Sequence, residues 1–440
     1  MMSIEQEIYR SYLEAEPFFA LGCSDYRRRN PGHLLSFFKD YPAEQNLVIT
    51  GSKGKGSLAR LIARLLSACA VTGLFISPHI ESFCERISVD GSNISPEQLE
   101  CLGREVLRDL QPIERSMKQG EYISPIGILA LIAMRYFSVC HTAFQVLECG
   151  KGARFDDVNQ IRHKIAVIGT IFLEHTNELG GTIGEIAENK ASVITENTDT
   201  CYIMEQDPVA YSVIKDRAGR YGVELKEYGK DFFAKHITQE LSGTTKFDIC
   251  VGPHVFRGIS LPLLGKFQAK HAALAAACYL DIAQEQGWKR PEADFFHQAW
   301  STLSISGRME ILQRNPFVLM DSTINQKSAI ELLAVLNDMG IEKAVFLLCI
   351  PDGKDIVGVA KTIWPKAVDI VLSRIEHPHY PMEQDQQREL QKEGIPCEFE
   401  NDFKTAFQIV LSYSQPIIVL VANTFVKYAK KQIAGLIDIT

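Results

Sequence analysis

Seven consecutive residues, Gly51, Ser52, Lys53, Gly54, Lys55, Gly56 and Ser57, carry the strongest chemical signal in the chain. They follow a short β-branched run, Leu47–Thr50. They precede a segment with Leu58, Leu61, Ile62, Leu65 and Leu66 at helical spacing. Glycines let backbone amides turn towards an anion, and a helix N-terminus adds a dipole that favours phosphate. Lys55 would reach the β/γ-phosphates of a nucleotide, and the Ser57 hydroxyl could ligate Mg²⁺. Gly56 separates lysine from serine, so the string departs from the strict G-x-x-x-x-G-K-[ST] form. The bland alternative is a flexible turn before a helix. Its place directly after a buried-type strand favours phosphate.

That loop needs a sheet edge beneath it. Candidate strands at Gly73–Ile76, Phe144–Leu147, Lys164–Gly169 and Thr200–Met204 alternate with helical segments at Pro96–Leu110, Pro125–Phe137 and Thr182–Thr195. This alternation reads as an α/β fold: a large P-loop-type ATPase domain with a mostly parallel sheet covered on both faces. Between Val223 and Leu264 the pattern changes to short alternations, read as antiparallel strands at one edge of that domain. Lys266–Gln284 is an Ala-rich helix, and Ser301–Gly307 is the candidate interdomain linker. After Arg308 strands at Phe317–Met320, Lys343–Leu348, Val368–Leu372 and Pro416–Val421 alternate with helices at Gln326–Leu336, Lys354–Ile363, Phe403–Leu411 and Phe425–Gly435. The expected division is therefore residues 1–307 and a smaller, Rossmann-like domain over 308–440.

Composition narrows the class without naming a reaction. The 440 residues are 46% apolar and 23% charged, which excludes global disorder. With 46 Lys and Arg against 54 Asp and Glu, the net charge is -8, and no basic footprint for nucleic acid is expected. The longest apolar stretches, such as Ile126–Met134, are too short to cross a membrane. Met1–Glu7 has no basic region of a secretory signal. The 11 cysteines include no C-x-x-C pair and sit mostly in apolar runs, so they read as packing in a reduced cytoplasm.

Several motifs together resemble the folylpolyglutamate synthase/dihydrofolate synthase family of the Mur ligase superfamily. Thr50–Ser57 is similar to that family's ATP loop, G-T-N-G-K-G-S. Thr72–His79, Glu85-Arg-Ile87 and Ile94-Ser95 are similar to T-G-L-F-T-S-P-H-L…E-R-I…I-S. Glu148–Arg154 with Asp156-Asp-Val-Asn159 resembles E-V-G-L-G-G-R-x-D-A-T-N. The resemblance implies Glu148 as a Mg²⁺ ligand, and a carboxylate closing a strand suits that role. It implies His175, in Glu174-His175, as a ligand of a second metal, and Lys190 as a carbamylated lysine. A carbamate is an anionic oxygen ligand, whereas an ammonium repels Mg²⁺. Gln268 is expected at adenine and Arg308, in Gly307-Arg-Met-Glu310, at ATP phosphate. Asp321 occupies the place of the first residue of D-G-A-H-N. Ser77, Pro78, His79, Arg86, Arg154 and Asp157 fall on the acceptor side.

The implied reaction is ATP-dependent amide formation through an acyl phosphate, with L-glutamate added to a folate or pteroate. ATP and two Mg²⁺ ions are the expected cofactors, with a small carboxylic acid and an amino acid as partners of a monomer. Lys55, His175, Lys190 and Arg308 are the expected catalytic residues, and Ser57, Glu148, His175 and Lys190 the metal ligands. The chain departs from the family pattern at Phe267 and Ile324 (usually histidine), His271 (usually asparagine) and Ile126-Gly127 (usually F-E). The lost histidines at 267 and 324 favour an alternative, a ligase of the same chemistry joining an amino acid to a non-folate acid. A nucleotide-binding regulator without catalysis is a further alternative, opposed by the retained Lys55, Ser57, Glu148, His175 and Lys190.

Overall fold

The computed structural model describes residues 3–21, 31–376 and 382–437. Packing divides the chain into two compact units. One comprises Met1–Ala234, Ile249–Phe256 and Lys270–Trp300; the other comprises Lys235–Asp248, Arg257–Ala269 and Ser301–Thr440.

The first unit is built on an eight-stranded sheet. Its strands are β1 (Asn46–Thr50), β2 (Thr72–Phe75), β3 (Ile87–Val89), β4 (Ser92–Asn93), β5 (Phe144–Glu148), β6 (Ile165–Ile168), β7 (Thr200–Ile203) and β8 (Glu224–Glu227), ordered β4-β3-β2-β5-β1-β6-β7-β8. β1 pairs in parallel with β5 on one side and β6 on the other, so Ile49 stands beside Glu148 and Val167. Only β3 and β4 run antiparallel to their neighbours, as a short hairpin at one edge. The central strands are buried throughout, as a sheet covered on both faces requires. The helix Pro125–Val139 seals one face with Ile128, Leu129, Leu131, Ile132 and Met134. Serine or threonine caps start several helices: Ser95 and Thr182 each form a reciprocal box with the residue three places on. The helix begun at Pro96 runs through Pro112 to Ser116, further than Pro112 suggests, and Glu114 in its last turn pairs with Arg10 at 2.8 Å.

The Val223–Leu264 region corrects the sequence expectation. β8 extends the large sheet in parallel, while β9 (Phe232–Glu240), β10 (Thr244–Val251) and β11 (His254–Leu261) form a separate three-stranded sheet, ordered β11-β10-β9. The turns joining these strands are too short for a parallel crossover.

The second unit carries a six-stranded sheet: β12 (Glu310–Arg314), β13 (Phe317–Asp321), β14 (Ala344–Cys349), β15 (Ala367–Arg374), β16 (Glu398–Asp402) and β17 (Ile417–Val421), ordered β12-β13-β17-β14-β15-β16. All pairs are parallel except β12 with β13. The two strands that sequence reading missed, β12 and β16, are the edges. β16 reads Glu-Phe-Glu-Asn-Asp, a composition poor in strand formers.

Candidate active site

Three parallel strands aim their carboxyl ends at one place. β1 ends in the glycine-rich loop, β5 ends in Glu148, and β6 ends at the segment leading to His175. Ligands of open parallel sheets bind at such an edge.

The loop is held by close contacts that only glycine permits. Gly51 has φ +147, and a Cβ there would lie 2.9 Å from the Gly169 Cα. Gly54 is left-handed at φ +82, and a Cβ there would lie 2.3 Å from Cε1 of His271. The helix Lys55–Ser67 starts directly after it, with no side-chain cap on its first amides. Those amides are the donors that an anion would satisfy. Ser52 is turned to the protein: its Oγ accepts the Phe172 N–H at 3.1 Å and donates to the Phe172 carbonyl at 3.2 Å. Lys55 Nζ donates back to the Gly51 carbonyl at 2.9 Å. Burial pushes the His271 imidazole down to about 4, helped by the charges of Lys53 and Lys270, so the ring beside Gly54 is neutral.

Around the loop stand the other first-unit residues. Glu148 is buried; its carboxylate accepts the Ser77 N–H at 2.9 Å and lies 3.4 Å from where a Gly56 Cβ would be. Lys190 is wholly buried. Its Nζ donates to the carbonyls of Gly51 and Lys151, each at 2.9 Å, and pairs with Glu174 at 2.9 Å. Burial pushes that ammonium down to about 8, the Lys55 charge adds to the effect, and Glu174 opposes it. His175 adopts a left-handed backbone, φ +46, with its Nδ1 3.5 Å from Glu178. Partial burial pushes its imidazole below the usual value, which favours the neutral, ligand-competent form. Asn189 accepts the Ala153 N–H on its side chain at 3.0 Å and the Arg154 N–H on its carbonyl at 3.2 Å, joining this helix to the Gly150–Arg154 loop.

On the Ser77–Arg86 side, Arg86 Nε donates to His79 Nδ1 at 2.9 Å and lies 5.1 Å from the Phe83 ring. The Ser77–Pro78 peptide is cis. Glu85 accepts three consecutive backbone N–H groups, from Ile80, Glu81 and Ser82, at 2.9, 2.9 and 2.7 Å. Its place in the Glu-Arg-Ile motif is therefore explained by the loop it caps. Arg154 is exposed and rests 5.3 Å from the Phe155 ring. Asp157 is buried and accepts from the Ser124 hydroxyl. Arg60 is the cation that sequence reading passed over: burial pushes its guanidinium down, opposed by Glu148 and Glu85. Its position on the helix after the loop was the available signal.

In the second unit Asp321 organises the turn that carries Arg308. Its Oδ1 accepts the Met309 N–H at 2.9 Å, and its Oδ2 accepts the Thr323 hydroxyl at 2.5 Å. Ser322 Oγ donates to the Gly307 carbonyl at 2.6 Å. Gln268 is 1% exposed, and its Oε1 and Nε2 meet no hydrogen-bond partner among the described residues.

Comparison with known proteins decides the family. The Mur ligase middle domain matches residues 49–279, more than half of the chain. The chain belongs to the Mur ligase family. It is 28% identical over 352 residues to the dihydrofolate synthase/folylpolyglutamate synthase of Mycobacterium tuberculosis, covering 77% of this chain and 72% of that one. It is 31% identical over 287 residues to the Bacillus subtilis protein of the same name, covering 63% of this chain and 64% of that one. The fold matches Mycobacterium tuberculosis folylpolyglutamate synthase complexed with ADP and AMPPCP, with a TM-score of 0.81, 24% identity, and 96% and 98% of the two chains covered. It also matches the Thermotoga maritima folylpolyglutamate synthase, with a TM-score of 0.78, 21% identity and 98% of each chain covered.

The residues of this Mur ligase fit a nucleotide and a hard cation. The donor and acceptor of the buried Gln268 amide suit the edge of an adenine. The Ser57 hydroxyl and the Glu148 carboxylate are oxygen donors of the kind Mg²⁺ takes alongside phosphate and water. Lys190 as an ammonium is a donor and cannot ligate a metal.

Proposed function

We propose that the chain is an ATP-dependent, ADP-forming carboxylate–amine ligase that adds L-glutamate to a folate or pteroate. The observation that carries this reading is the convergence of the glycine-rich loop, Glu148 and the Ser77 amide at the carboxyl edge of β1 and β5. Relatives named for this reaction support it over most of the chain. In the reaction, the acceptor carboxylate takes the γ-phosphoryl group, ADP leaves, and the amine of the amino acid then displaces phosphate. Backbone amides at the start of Lys55–Ser67, with Lys55 and Arg308, offset charge on the phosphates. Ser57 and Glu148 hold Mg²⁺, which when bound supplies further charge stabilisation; His175 is the candidate ligand of a second ion. Gln268 receives adenine, and Asp321 acts by shaping the Arg308 turn.

Lys190 is the candidate for carbamylation, because an ammonium pushed down to about 8 leaves part of the population as the neutral amine that reacts with carbon dioxide. The carbonyls of Gly51 and Lys151 now accept from it, so a carbamate would have to turn away from both. Intact mass in bicarbonate, with Lys190→Arg as control, tests this step.

The proposed division of labour places most of the ATP contacts before Gly307, with Arg308 and its Asp321-shaped turn added to them, and the amino-acid pocket after it. No helix among the described residues is long and apolar enough to cross a membrane, and the proposed setting is a cytoplasmic monomer without nucleic-acid partners. Phe267 and Ile324, where the family pattern has histidines, favour a second reading in which the acceptor is another acid. ADP release with dihydropteroate or tetrahydrofolate plus glutamate tests the first reading. ADP release only with another acid–amine pair would establish the second.

A further inference from the structure

The turn Ser306–Met309, which presents Arg308, is fixed from several sides. Glu310, the first residue of β12, folds back on it: its Oε2 accepts the Gly307 N–H at 2.9 Å and the Ser306 hydroxyl at 3.3 Å. Its Oε1 pairs at 2.8 Å with the ammonium of Lys430, on the helix Val426–Ile433. The same ammonium donates to Ser306 Oγ at 3.1 Å, which closes a ring of three side chains around the turn. With side chains 18% and 23% exposed, Lys430 and Glu310 are screened less by solvent than a surface pair.

The backbone held this way is one the chain would not keep unaided. Gly307 is left-handed at φ +67, and a Cβ there would lie 2.6 Å from Val426 Cγ2. Met309 is left-handed too, at φ +48, a conformation uncommon for a residue with a side chain. Such strain persists only where the surroundings over-determine it, and it gathers at functional sites. Val426 and Lys430 stand one turn apart on the same helix, so that helix both fills the space beside Gly307 and anchors Glu310. Between the two left-handed residues, Arg308 is half-buried, and its guanidinium has no hydrogen-bond or ion-pair partner among the described residues. The contacts are spent on the turn, and the cation it displays stays uncommitted.

We propose that Lys430 is a positioning residue for phosphoryl transfer: through Glu310 it locks the Ser306–Met309 turn in the shape that presents Arg308 to a phosphate group. The inference rests on the ligase reading, in which Arg308 offsets charge on ATP. Without its ammonium, the Glu310 carboxylate gains more from water than from the Gly307 N–H, and the turn is released. A cation that stabilises transferring charge is effective only while its position is set in advance, so a loosened turn costs rate. The bland alternative is that the pair merely fastens the helix Val426–Ile433 to its own sheet. That role would alter stability and leave the kinetics of the folded enzyme alone.

The test is a double-mutant cycle between Lys430→Met and Arg308→Ala, with Lys430→Arg as the conservative variant. Glu310→Gln carries the same cycle should Lys430→Met fail to fold, since it keeps the side chain's shape and removes its charge. ADP-release kinetics are read alongside urea midpoints and calorimetric binding of a non-hydrolysable ATP analogue. Lys430→Met should lower kcat/KM for ATP by about tenfold while the acceptor KM stays put, and Lys430→Arg should recover most of that loss. In the Arg308→Ala background the same substitution should cost less than about twofold, because the group it positions is already gone. Analogue affinity should show the same non-additivity. An undiminished kcat/KM in folded Lys430→Met, or an equal loss in both backgrounds, would overturn the positioning role and leave the ligase reading standing. A wild type that releases no ADP with any acid–amine pair would overturn the ligase reading instead, and analogue binding would still show whether Lys430 acts through Arg308.

Discussion

The ammonium of Lys190 lies 2.9 Å from the carbonyl oxygen of Gly51, so the last turn of one helix is bonded to the first residue of the glycine-rich loop. The same nitrogen holds Lys151 and Glu174. One buried cation thus ties together the segments that follow β1, β5 and β6.

Replacing Lys190 by Met should be strongly destabilising, by about 3–5 kcal/mol, because the Glu174 carboxylate loses its partner. The pH dependence carries a specific sign. With the folded ammonium pushed down to about 8 from an ordinary 10.5, the folded protein binds fewer protons than the unfolded chain between those values. Lys190 therefore makes stability rise with pH across that window. Urea midpoints of wild type and Lys190→Met at both ends of the window should show this increment in the wild type only.

His271 predicts an acid limb. Its imidazole is pushed down to about 4 from an ordinary 6.5, so the unfolded chain takes up a proton that the folded protein refuses. Stability should fall as pH drops through that interval, and His271→Asn should flatten the fall. Thermal midpoints across the interval check it.

Gly54→Ala combines a left-handed backbone with a collision against the His271 ring. The backbone strain alone is about 1–2 kcal/mol. The larger effect should fall on ATP, with its KM raised at least about tenfold, because the amides that follow Gly54 lose their alignment. Nucleotide binding by calorimetry reads this directly.

Glu85→Ala should loosen Ile80–Ser82, whose three amides it accepts. Two of those bonds are at the surface, so the loss should be only about 1 kcal/mol. The acceptor KM should rise more than kcat falls. Asp321→Ala should instead raise the KM for ATP, since the carboxylate fixes the Met309 amide beside Arg308.

The parts legible in the sequence were those with a local signature. The glycine-rich loop, the buried strands β1, β5 and β6 and the alternation after Arg308 all follow from spacing and composition. What stayed hidden is non-local. Nothing in the residues near Lys190 announces that its nitrogen reaches Gly51, 139 residues away. Glu85 looked like part of a binding motif, while its oxygens serve the preceding loop. The edge strand β16 has neither alternation nor β-branched residues, and only pairing with β15 makes it a strand.

The most direct measurement is ADP release by the purified full chain given ATP, Mg²⁺, L-glutamate and either dihydropteroate or tetrahydrofolate, with product mass recorded. The account predicts ADP release that requires both the folate and glutamate, a product heavier by one glutamyl residue, and loss of both in Lys55→Ala. ADP release that ignores folates and appears only with a different acid–amine pair would contradict the assigned substrate. No ADP release with any pair would contradict the ligase itself.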